Sequence, residues 1–134
     1  MNKQPIRAFI ITRSIPLADG LEALLRAISQ IDEIGIARNL DEAFEQIESR
    51  KPRIVLIDAV LIGRRPEELL DKITFLSPET QRVLLVEDVQ DVKWMPQHAE
   101  AVLIKGVSPS AVAGILTSLL FSKGDEYEHD DSNP

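Results

Sequence analysis

Runs of aliphatic residues alternate along this chain with stretches in which apolar residues recur at helical spacing. The plainest run is Arg53-Ile54-Val55-Leu56-Ile57-Asp58, four aliphatic residues that end on a carboxylate, bounded by Lys51-Pro52 and a later Gly63. A continuous apolar run rich in β-branched residues predicts a strand buried on both faces, as in the middle of a parallel sheet. Ile6 to Ile11 predicts a first strand that stops at Thr12-Arg13-Ser14, and Leu17, Leu21, Leu24, Leu25 and Ile28 then mark one helical face. Glu33 to Ala37 predicts a short edge strand containing a glycine. Asn39 and Glu42 have capping-box spacing ahead of a second helix with Ala43, Phe44 and Ile47 inward.

Beyond Asp58, a loop through Gly63-Arg64-Arg65 leads to Pro66, well placed in the first turn of a third helix with Leu69, Leu70, Ile73 and Leu76 inward. Arg82–Val86 predicts the fourth strand, ending on Glu87-Asp88, and Ala101–Ile104 the fifth, ending on Lys105. Between them Pro96 limits any fourth helix to one or two turns, leaving Trp94 and Met95 little secondary structure to hide in. Ser108-Pro109 opens a last helix with Val112, Ile115, Leu116, Leu119 and Leu120 inward, closed by Gly124. Strands alternating with amphipathic helices predict an α/β fold, a doubly wound five-stranded parallel sheet.

In open sheets of this kind the ligand crevice lies outside the carboxyl ends of the strands. That rule gathers Thr12, Arg13, Asp58, Glu87, Asp88 and Lys105 at one pole. Such a set suits a phosphoacceptor site, a metal site or a plain salt-bridge network, and Asp58 is also placed to cap the turn that follows it.

Composition narrows the classes. A chain of 134 residues fits one domain, and 44% hydrophobic with 4% aromatic residues gives an aliphatic core. Without cysteine there is no disulfide framework, thiolate metal site or cysteine nucleophile. No apolar run approaches the ~20 residues of a membrane span, and no signal-like segment is visible, so the expected compartment is the cytoplasm. Of the net charge of −7, residues 123–134 hold five acids against one lysine. They read as an acidic, disordered tail after a domain over 1–122 that has no bias toward nucleic acid. The groups Arg50-Lys51-Arg53 and Arg64-Arg65 read as solvated faces, and His98 and His129 lack partners at ligand spacing. No glycine-rich phosphate loop follows the first strand, against a flavodoxin-like cofactor binder.

From Ile6 to Leu120 the chain resembles the receiver domain of bacterial response regulators (CheY-like), closest to the branch usually joined to a DNA-binding helix-turn-helix. The resemblance is carried by Val55-Leu56-Ile57-Asp58, by Gly63 and by Leu103-Ile104-Lys105-Gly106-Val107-Ser108-Pro109. It implies strand order 2-1-3-4-5 with a shortened fourth helix. It also implies that Asp58 stands at the phosphoacceptor position and Lys105 at that of the phosphate-contacting lysine. The family's Mg²⁺-binding acidic pair falls on Thr12 and Arg13, its switch hydroxyl on Glu87 and its switch aromatic on Val102.

These departures have physical consequences. Mg²⁺ leans on carboxylates and gives up its waters reluctantly, so binding is expected to be weak or absent, with no cofactor. A charge pair ~4 Å apart at an effective dielectric of about 20 is worth roughly 4 kcal/mol. Arg13 is therefore expected to replace the metal in a permanent ion pair with Asp58, shared with Lys105. Glu87 would repel a phosphoryl group. The expected function is that of a non-enzymatic, degenerate receiver (pseudo-receiver) without an output domain of its own. It would act through protein contacts, with a histidine kinase or output protein or as a homodimer, and would touch neither membrane nor nucleic acid. Trp94, Met95 and Val102 are the interface candidates. The rival is an atypical receiver of a phosphorelay that accepts a phosphoryl group on Asp58.

Overall fold

The computed structural model describes residues 4–63, 66–88 and 98–132, and of residues 122–132 the backbone. In chain order the described elements are β1 (Arg7–Ile11), α1 (Ile15–Arg26), β2 (Glu33–Ala37), α2 (Leu40–Arg50), β3 (Ile54–Asp58), α3 (Ala59–Ile62), α4 (Pro66–Leu76), β4 (Gln81–Val86), β5 (Ala101–Ile104) and α5 (Pro109–Ser132). The strands form one sheet in the order β2-β1-β3-β4-β5, every neighbouring pair parallel. This is the expected doubly wound arrangement, with β3 in the middle and buried at all of its positions.

Period-two alternation along the strands divides the core into two layers. Ala8, Ile10, Ile54, Leu56, Val83, Leu85 and Leu103 face α1 and α5, packing against Ala18, Leu21, Leu25, Val112, Leu116 and Leu120. The intervening residues, Phe9, Ile11, Val55, Ile57, Leu84 and Val86, meet Ala43 and Ile47 of α2, Ile62 of α3, and Leu70 and Ile73 of α4. Because both faces are covered, the strands need no polar side, which is why they read as unbroken apolar runs. The glycine of β2 has a packing cause: a Cβ on Gly35 would lie 3.0 Å from the Phe9 ring.

Local signals set most helix starts. Ser14 caps α1 by accepting from Leu17 N. Asn39 caps α2 by accepting from Glu42 N, while Glu42 reaches back to Arg38 N and so closes the box one residue early. Ser108 Oγ accepts from Ala111 N at the start of α5.

Three expectations are corrected. Ala59–Ile62, read as loop, is the single turn α3; four residues are too few for a helical period to show. Ile115 was placed inward on α5 but is 37% exposed, because Val112, Leu116 and Leu120 already fill the contact with α1. Gly124 does not close α5, and the acidic tail is helical rather than disordered as far as Ser132. Once a helix is nucleated on a packed stem, each added residue needs only propagation, and one glycine costs about 1 kcal/mol against alanine. The shortened fourth helix, with Trp94, Met95 and Pro96, and the pair Arg64-Arg65 lie outside the described residues.

Candidate functional site

Parallel pairing of β1 with β3 aligns Ile11 with Ile57. The next residue on each strand therefore lies side by side, and these are Thr12 and Asp58. Both are buried, at 1% and 5% exposure. Thr12 Oγ1 donates to Asp58 Oδ2 at 2.7 Å and accepts from Ser14 N at 3.0 Å. Asp58 Oδ1 accepts from Val60 N at 3.1 Å, capping α3, and from Lys105 Nζ at 2.7 Å. Lys105 also reaches Glu87 Oε2 at 3.3 Å. Gly106, at a φ of 95°, takes the left-handed turn that follows Lys105.

The ion pair is largely withdrawn from solvent, with Asp58 and Lys105 side chains 6% and 18% exposed, whereas Glu87 stands out at 71%. Burial is the largest influence on Asp58 and pushes its carboxyl upward. The hydrogen bonds from Lys105, Thr12 and the Val60 amide together prevail, holding it below the ordinary value of 3.8. Burial likewise pulls Lys105 down, and its bonds to Asp58 and Glu87 more than reverse that.

Of the residues expected at this pole, Thr12, Asp58, Glu87 and Lys105 come together and Arg13 does not. Arg13 is exposed, and the partners of Asp58 are Thr12, the Val60 amide and Lys105. The anticipated Arg13–Asp58 ion pair is thus corrected to a threonine hydroxyl bond. The residue beside Asp58 is set by register, and the next one along β1 turns out to water. Val102 is half-buried against the α2 and α4 layer. The backbone amides of Ser14 and Val60 also belong to the site; the first was recoverable from register plus capping, the second from the option of a cap at Asp58.

A second ion-pair cluster sits where β5 begins. Arg82, its side chain 12% exposed, binds Glu100 through Nη2 at 2.9 Å and through Nε at 3.1 Å, and its Nη1 donates to Leu70 O. Burial pushes Glu100 upward, but its bonds with Arg82 hold it below its ordinary value. His98 Nδ1 lies 3.3 Å from Asp71 Oδ1 nearby. Among the described residues no group of three His, Cys, Asp or Glu could hold a metal ion, and no helix is long and apolar enough to cross a membrane.

No protein-family model and no curated protein matches this chain. Its fold is that of solved CheY-like receiver domains. The response regulator receiver domain from Methanospirillum hungatei superposes with a TM-score of 0.77 at 21% identity, covering 91% of this chain and 98% of that one. The signal receiver domain of an HD domain-containing protein from Pseudomonas fluorescens gives 0.77 at 21% identity, with 96% of each chain covered. The isolated receiver domain of RcsB from Salmonella enterica, solved with the phosphomimetic BeF3-, gives 0.75 at 13% identity over 86% of this chain and 88% of that one. At these identities the likeness is one of fold.

Proposed function

We propose that the chain is a degenerate receiver module of bacterial signal transduction, of the branch usually joined to a helix-turn-helix. On this reading it works by protein contact, with a signalling partner or a second copy, rather than by Mg²⁺-dependent phosphoryl transfer. One observation carries the reading: the Asp58 carboxylate is already held by Lys105, Thr12 and the Val60 amide. A divalent cation needs several oxygen ligands, and around Asp58 the described groups are a hydroxyl that donates to it, an ammonium paired with it and one further carboxylate, Glu87, that faces the ammonium. This donor set does not fit Mg²⁺. Glu87, turned toward Lys105, adds negative charge where a phosphoryl group would bring about −1.5 to −2 more.

The alternative, a phosphorelay receiver that accepts a phosphoryl group on Asp58, is favoured by Lys105, which stands 2.7 Å from that carboxylate as a ready counter-charge. Titration with Mg²⁺ and beryllofluoride, followed by Trp94 fluorescence, separates the two. No saturable change is expected. A saturable change in the native chain that disappears in Asp58→Asn would establish the alternative.

A further inference from the structure

The sheet ends on one side at β2, which pairs with β1 alone. Its inner side is taken: the pairing runs from Arg7↔Glu33 to Ile11↔Ala37, Glu33 N donates to Ile6 O at 3.3 Å, and Thr12 N donates to Ala37 O at 3.0 Å. A strand residue directs its N–H and C=O to one side and the next residue directs them to the other. Glu33, Gly35 and Ala37 therefore face β1, and Ile34 and Ile36 turn their backbone groups outward. Among the described residues nothing bonds to those outward groups. Such a row is a template for one more strand.

Side chains select which strand that is. Asp32, Ile34, Ile36 and Arg38 recur at period two, on the sheet face to which Ile34 packs with α1. Asp32 and Arg38 are exposed, and Ile36, though aliphatic, is 36% exposed. Among the described residues the Arg38 guanidinium has no partner, and Asp32 gives one carboxylate oxygen to Ile6 N at 2.7 Å, leaving the other.

Read backwards, this acid, isoleucine, isoleucine, base series is its own complement. Lay a second β2 antiparallel with Gly35 opposite Gly35, and Ile34 stands opposite Ile36 and Asp32 opposite Arg38, each at both ends. Ile34 and Ile36 both point their backbone groups outward, so each of these pairs can exchange both of its hydrogen bonds. A slip of one residue sets an outward group against an inward one. A slip of two sets a charge against an isoleucine. Backbone and side chains thus choose the same register.

We propose that β2 pairs antiparallel with β2 of a second copy of this chain, joining two five-stranded sheets into one across a two-fold axis at Gly35. The contact is the same patch on both copies, so it closes on itself. A five-residue edge is short, so the pair is reversible and depends on concentration; the exposed charges fix the register more than the affinity. The proposal rests on the reading of the module as one that acts by protein contact and names the contact. The two fail separately: a response to beryllofluoride would overturn that reading without touching the pairing, and a monomer would overturn only the pairing.

The test is sedimentation of the full chain across a concentration series, with amide exchange read at both ends of it. The native chain is expected to form a two-chain species at the upper end. There the Ile34 and Ile36 amides should slow about tenfold, while those of Gly35 and Ala37, turned toward β1, stay as they were. Arg38→Asp and Asp32→Arg each set like charges opposite one another and should weaken pairing about tenfold. Mixing the two variants puts opposite charges at both ends again and should return the native affinity. A native monomer at every concentration, or a pair whose Ile34 and Ile36 amides exchange as in the monomer, would overturn the proposal. That exchange measurement needs no variant and decides even where a substitution unsettles the fold. Single variants that pair like the native chain, or a mixture of folded variants that stays monomeric, would overturn it as well.

Discussion

At Thr12 a neutral hydroxyl does what its charged neighbour was expected to do. Charge arithmetic singles out Arg13, since a guanidinium near Asp58 would be worth several kcal/mol. Register decides otherwise: Thr12 abuts Asp58 and is buried, and Arg13 is in water. The two positions therefore respond differently to substitution. Thr12→Val leaves Asp58 Oδ2 and the Ser14 amide short of a partner. It is expected to cost about 1–3 kcal/mol, by denaturant titration, and to raise the Asp58 pKa, by NMR. Arg13→Ala is expected to stay within about 0.5 kcal/mol of the native chain; a larger loss there would restore the arginine to the site. The identities of Asp58 and Lys105 as a pair were legible because each ends an unmistakable strand. The partner of Asp58 on β1 was not, because it depends on which residue of one strand lies against which of the next.

Among the elements, β5 carries a side-chain ion pair at each end in addition to its ladder to β4. It has four residues, most of them only half-buried, at the edge of the sheet. Glu100 ties its start to Arg82 and Lys105 ties its finish to Asp58. Glu100→Ala leaves Arg82, with its largely buried side chain, without its carboxylate and is expected to cost about 1–3 kcal/mol. Amide exchange over Ala101–Ile104 should quicken by more than global stability accounts for; unchanged protection would show that the strand holds itself. Strands and long helices were readable because two-sided burial leaves continuous apolar runs and amphipathic faces leave a period. The single turn α3 gave no period, and the helical extension past Gly124 had no apolar face to announce it.

At the scale of the molecule, the ionisable groups held away from their ordinary values among the described residues lie in these two clusters, and their signs fix the pH response of these groups. Asp58 and Glu100 are lowered. Their stabilisation is present above the unfolded carboxylate range, about 3.9–4.3, and is lost as pH falls through their lower folded values. Lys105 is raised, so its contribution is intact below about 10.4 and is lost as pH rises through its higher folded value. Stability by chemical denaturation should therefore be flat between these limits as far as these groups are concerned, falling on both sides. Lys105→Met should narrow its deficit against the native chain as acid removes the charge on Asp58. A deficit that stays constant from pH 7 to pH 3 would mean that the pair is not the source.

The ion pairs at the two ends of β5 leave this edge with redundant moorings. Without the contact between Lys105 and Asp58 the strand keeps its ladder to β4, the bond from the Lys105 amide to the Val86 carbonyl at 2.8 Å, and Glu100 at the other end. A change at that aspartate is therefore expected to free a lysine head rather than a strand.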